Sequence, residues 1–102
     1  MSEDPNLGEA RRWLGQALHD RDAACLNRDH GFHEHACFVA QQSAEKALKA
    51  FLCARGEGYI AARYPNGLPA GIPHDFYDRT LADQALADLE AVLACVQRLV
   101  RS

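Results

Sequence analysis

Between Cys37 and Phe51 the apolar and polar positions separate at the helical period of about 100° per residue. Phe38, Gln42, Glu45, Lys46 and Lys49 fall on one side, and Ala40, Ala44, Ala47, Leu48 and Phe51 fall opposite. The second side is mostly alanine, so a neighbouring helix can come close there. The first side holds two ammonium groups a turn apart, with Glu45 four residues before Lys49 in the favourable order for an ion pair. This pattern predicts a helix from about His33 to Ala54, stopped by Gly56 or Gly58.

Two more stretches share the period. Ala10, Trp13, Leu14, Ala17, Leu18, Ala24 and Cys25 recur at steps of three and four, predicting a first helix over about 7–26. Asn27 or Gly31 then supplies the left-handed residue that ends it. In the last stretch Leu81, Ala85, Leu86, Leu89, Val92, Leu93, Val96 and Val100 form the apolar stripe. Thr80 is the expected N-cap there, with Asp83 three residues on. No stretch alternates at a period of two, so the expected fold is all-α: an antiparallel, up-and-down bundle of three long helices in a single domain, residues 1–102.

Between Gly56 and Arg79 the pattern breaks. Pro65, Pro69 and Pro73, with Gly58, Gly67 and Gly71, cannot sustain a long helix. Tyr59, Tyr64, Phe76 and Tyr77 lie in the same stretch, so an ordered strap anchored by its rings is expected rather than a linker.

Composition narrows the function. The net charge is −3, which excludes indiscriminate binding to a nucleic-acid backbone, and any anion site must be local. Neither a secretory signal nor a membrane-spanning run is visible, so a cytoplasmic location is expected. Cys25, Cys37, Cys53 and Cys95 are scattered and read as small core or boundary residues. His30, His33, His35 and Cys37 hold only one usable helical spacing, His33 with Cys37, and lack a second pair, so no metal or other cofactor is expected.

The run from Cys37 to Ala50, Cys-Phe-Val-Ala-Gln-Gln-Ser-Ala-Glu-Lys-Ala-Leu-Lys-Ala, resembles the signature helix of the HEPN domain family. The block Ala10 to Ala17 resembles that family's opening helix. Ala62 to Asn66, Ile72 to Tyr77 and Ala82 to Val100 resemble the closing loop and helix of the sacsin-like branch. Against that pattern the chain lacks the helix that usually stands between the signature helix and the Arg63-Tyr64-Pro65 segment.

The resemblance implies three kinds of function. Many HEPN proteins are ribonucleases whose Arg and His, four to six residues apart, stabilise charge and move the proton. Arg28 and His33 match that spacing but precede the signature helix, where the family's motif follows it, so no catalytic residue is assigned. The sacsin-like branch implies nucleotide binding in a dimer groove. The candidates are Lys46 and Lys49 as charges for phosphate, Gln42 as an amide donor, Arg63 as a forked donor and Tyr59 or Tyr64 as a stacking ring. Stand-alone HEPN proteins also accompany minimal nucleotidyltransferases, in toxin–antitoxin or paired-subunit systems. With no motif in the family's place, a partner or adaptor module is the leading expectation, nucleotide binding the second and RNA cleavage the third. A homodimer is expected too: without the intervening helix an apolar stripe stays open, and a second copy would cover it.

Overall fold

A computed structural model of the chain describes residues 5–56 and 77–101. Among them the secondary structure is wholly helical: α1 (Pro5–Asp29), α2 (His33–Ala54) and α3 (Arg79–Arg101). The all-α bundle expected from the sequence is the fold. The strap and its rings, apart from Tyr77, lie outside the described residues, as do Arg63 and Tyr64.

α1 opens on Pro5, whose fixed φ suits a first helical turn. It ends in a Schellman motif. The Phe32 N–H donates to the Asn27 carbonyl at 2.8 Å and the Gly31 N–H to that of Arg28 at 3.1 Å. Gly31 takes φ 85°, so it, and not Asn27, is the left-handed residue. α2 stops similarly at Gly56, with φ 75° and an N–H donated to the Cys53 carbonyl at 2.9 Å.

The start of α3 differs from expectation. Asp78, not Thr80, is the cap: its Oδ1 accepts the Leu81 N–H at 2.9 Å, and its carbonyl accepts the Ala82 N–H at 3.0 Å. Both residues are good caps by type. The hydrogen bonds decide, because the Leu81 N–H is taken by the Asp78 carboxylate.

Packing is most extensive between α1 and α2. Their shared core is built from small side chains: Ala10, Ala17 and Ala24 of α1, and Ala40, Ala47 and Ala50 of α2, are 0–3% exposed. Helices faced with alanine approach closely, and one consequence is a bond between them. Ser43, fully buried on α2, donates its hydroxyl to the Ala17 carbonyl of α1 at 2.6 Å. α3 contributes larger groups, Leu86, Leu89, Leu93, Val96 and Val100, all buried. Three members of its predicted stripe are not: Ala85 is half-buried, and Leu81 is 41% and Val92 39% exposed.

Contacts also fix the direction of α3. Arg21 meets Glu90 and Arg28 meets Asp83, so α3 runs antiparallel to α1. Cys37 and Ala82 share a second, smaller core, while Phe51 and Leu99 line one groove, so α3 runs parallel to α2. The start of α3 therefore lies about one helix length, roughly 33 Å, from the end of α2. A plain alternation of three helices would have reversed it.

Candidate functional site

The polar face read from α2 is only partly a display surface. Gln42 and Phe38 are exposed, and Phe38 is 49% so. Lys46 is not turned to solvent: its Nζ donates to Asp20 Oδ2 of α1 at 2.6 Å, and the two side chains are 24% and 14% exposed. Lys49 places its ammonium 4.7 Å from the centroid of the Trp13 ring, also on α1. Both cations thus close the α1–α2 seam from its rim, with their stems along the apolar surface. A phosphate recruited by Lys46 would have to compete with a close, half-buried carboxylate. Of the five ligand-binding candidates, the structure brings Lys46 and Lys49 to the same side of α1, leaves Gln42 in solvent, and leaves Arg63 and Tyr64 outside the described residues.

Sequence reasoning missed Asp20, Trp13 and Ser43 as the residues that complete this seam. Trp13 was legible as a core residue by its spacing. The Asp20–Lys46 pairing was not, because its partners stand 26 positions apart on different helices.

Arg28 is engaged by carboxylates. The Arg28 guanidinium donates to Asp29 at 3.1 Å and to Asp83 at 3.2 Å, tying the end of α1 to the start of α3. Hydrogen bonding to Asp29 raises its pKa above the ordinary arginine value, which keeps it charged and engaged. Arg79 joins the same cluster, 3.5 Å from Asp83. A second staple lies along the seam, where Arg21 holds Asp22 at 2.7 Å and Glu90 at 2.9 Å. Its pKa is raised by the hydrogen bond to Asp22 and then by that to Glu90.

The histidine cluster is likewise dispersed in role. His30 Nδ1 lies 2.9 Å from the Leu26 carbonyl in the turn, and the His35 ring tilts 57° against Phe32 with centroids 6.2 Å apart. Among the described residues no group of three or more metal-ligating side chains converges. Cys37 is buried, and that burial, with the nearby Asp78 charge, pushes its thiol pKa up. Cys95 is a correction to the reading of all four cysteines as core or boundary residues, for it is exposed.

Beside it the surface of the described bundle opens. A cavity of about 530 Å³ runs between α2 and α3, lined by Ala44, Leu48 and Phe51 on one wall and by Val92, Cys95 and Leu99 on the other. The lining is almost wholly carbon. Ala44, Leu48 and Phe51 were read as packing residues, and the structure leaves them half-buried at this groove.

Comparison with known proteins agrees with the bundle. The HEPN domain model matches residues 10–59, which spans most of α1, the turn and all of α2. The crystal structure of an archaeal HEPN homologue superposes with a TM-score of 0.75 at 25% identity, covering 89% of this chain and 97% of that one. No curated protein sequence matches. α1 and α2 thus carry the match to the HEPN domain model, and the three helices share the fold of that archaeal homologue. None of the described helices is long and apolar enough to cross a membrane.

Proposed function

We propose that this chain is a helical partner module, a HEPN-type domain that works by assembling with other chains rather than by chemistry of its own. The observation that carries the reading is the contrast between its surfaces. The cations suited to an anionic ligand, Lys46, Lys49 and Arg28, are engaged with Asp20, Trp13 and the Asp29–Asp83 pair, whereas an apolar groove lies open between α2 and α3. Such a groove favours protein surface over phosphate. The heterologous partner we propose is a minimal nucleotidyltransferase, as in paired toxin–antitoxin systems, acting in the cytoplasm.

Co-expression with a minimal nucleotidyltransferase encoded beside the gene should give a complex that survives gel filtration. Separate elution of the two proteins, with no change in the transferase's activity, would sink the adaptor reading. Nucleotide binding is the second reading, favoured by the placement of Lys46 and Lys49 a turn apart on one side of α1. Calorimetric titration with ATP and GTP should then show weak, salt-sensitive heat that is lost in Lys46→Ala and Lys49→Ala. On the partner-module reading no heat appears at millimolar nucleotide. RNA cleavage would be revealed by turnover of a structured RNA that His33→Ala abolishes without loss of helicity.

A further inference from the structure

α3 carries two apolar seams, one residue out of register with each other. Ala82, Leu86, Leu89, Leu93, Val96 and Val100 form the first, which is buried in the bundle. Leu81, Val92, Cys95 and Leu99 form the second, which is open and is interrupted by Asp88. A matching stripe runs along α2, where Phe38, Gln41, Glu45, Leu48 and Leu52 fall within about 80° of one another around the axis. Leu48 of that stripe and Val92, Cys95 and Leu99 of the other face each other across the α2–α3 groove. The two stripes share one layout, apolar at both ends and acidic at the waist. Phe38 and Leu81 are 49% and 41% exposed at one end, and Leu99 is 51% exposed at the other. Between them stand Glu45, half-buried, and Asp88, exposed. Cys37 lies level with Ala82 and Phe51 with Leu99, so Glu45 stands within about one turn of Asp88 across the groove. Gln84 donates to Asp88 at 2.9 Å, a neutral contact that leaves the carboxylate charged.

We infer that this face receives one amphipathic helix of a partner protein, apolar at both ends of its contact stripe and carrying a lysine or arginine in the middle. Charge complementarity selects that occupant. A cation at the centre meets Glu45 and Asp88 while its methylene stem covers the apolar wall beside them. An acidic helix would set like charges together at the waist, and a wholly apolar one would desolvate two carboxylates without a partner. Neither open stripe of this chain has a lysine or arginine at its centre, so the occupant is a different protein. The direction follows from the bundle. α2 and α3 run parallel, and their negative C-terminal ends lie at the same end of the groove. A helix running antiparallel to both sets its positive N-terminus beside them, as α1 does on the opposite side. The N-terminal half of the incoming helix then passes Cys95.

This rests on the partner-module reading and deepens it by naming the element that the groove takes. The two fail separately: a transferase that co-elutes through another face keeps the module reading alive, whereas the present claim is decided on purified protein with a synthetic probe. The probe is a helical peptide of about 20 residues, long enough to span both apolar ends, with leucine at steps of three and four and one central lysine. Its twin has glutamate in that place. By fluorescence anisotropy the lysine peptide should bind at least about tenfold tighter than the twin. Protein with Glu45→Lys and Asp88→Lys together should reverse the preference, and Leu48→Glu should weaken both peptides at least about tenfold. Leu26→Glu, at a site 62% exposed but outside this face, should change neither, and helicity by circular dichroism should be equal in all variants. For the direction, a peptide carrying a cysteine near its N-terminus, activated as the mixed pyridyl disulfide, should exchange with Cys95 faster than one activated near its C-terminus. The opposite order would overturn the antiparallel placement. Equal affinity for the two peptides, no binding, or a preference that survives the charge reversal would overturn the proposal. So would a Cys95 already shielded from iodoacetamide in the protein alone, because the face would then be covered by this chain or by a second copy of it.

Discussion

The α1–α2 seam and the α2–α3 seam solve the same packing problem with different side chains. Alanines dominate the first, and the helices come close enough for Ser43 on one to reach a backbone carbonyl on the other. Leucine and valine dominate the α3 side of the second, and there the helices leave a groove open at one flank. Small residues trade area for proximity, and proximity recruits hydrogen bonds and a half-buried ion pair. Large residues bury more carbon but leave gaps where neighbours do not match them. The first seam is thus suited to holding the domain together, the second to receiving something.

Truncating the large-residue side should cost most. Leu93 is 1% exposed in the centre of α3, so Leu93→Ala should destabilise by about 2–5 kcal/mol, seen as a lower urea midpoint with unchanged slope. Enlarging the small-residue side comes next. Ala47→Leu has no room at a fully buried position and should cost about 1–3 kcal/mol. Ala44→Leu is the internal control. The sequence pattern marks Ala44 as an equally tight contact, but it borders the groove, so the added carbons have space and thermal stability should change little. Equal losses at the two positions would show that the seams do not differ as described.

Hydrogen bonding across the tight seam should have a smaller effect. Ser43→Ala removes one buried donor and should cost about 1 kcal/mol, without a change in helicity. The ion pairs that fasten α3 to α1 should matter least. Arg21→Ala loses the Glu90 contact and should cost no more than about 1 kcal/mol, with the difference from the parent fading at high salt.

The two thiols report on the same contrast without altering stability. Cys37 lies in the small core beside Tyr77, and its raised pKa keeps it protonated, so at mildly alkaline pH iodoacetamide should modify Cys95 well before Cys37. The sign for folding follows from that direction. A thiol whose folded pKa is raised supports the fold below the ordinary thiol range, and that support declines as pH climbs from the unfolded toward the folded value. Comparable alkylation rates by peptide mass spectrometry would mean that Cys37 is not sealed.

Much of the architecture was legible in one dimension because it depends on local rules. Three amphipathic periods gave three helices, and His33 to Ala54 was readable at both ends, since glycines at 31 and 56 provide the left-handed residues that stop a helix. The α3 cap was misplaced by two residues because Thr80 and Asp78 are both capping types. The backbone hydrogen bonds of the first turn, which residue type alone does not fix, distinguish them. The candidate site was less legible. Lys46 and Lys49 read as a display of charge, for nothing near them in sequence marks Asp20 or Trp13 as their partners.

By itself the sequence determined which segments are helical, roughly where they stop, and that the second helix has the character of a HEPN signature, because propensity, periodicity and turn chemistry act over a few residues. Only the tertiary structure decided that α3 runs beside α2 in the same direction, that the lysines serve the α1–α2 seam, and that one of α3's two apolar seams stays open. Those outcomes depend on which faces meet across tens of residues, and a helix with two nearly equivalent stripes does not say which one the rest of the chain will cover.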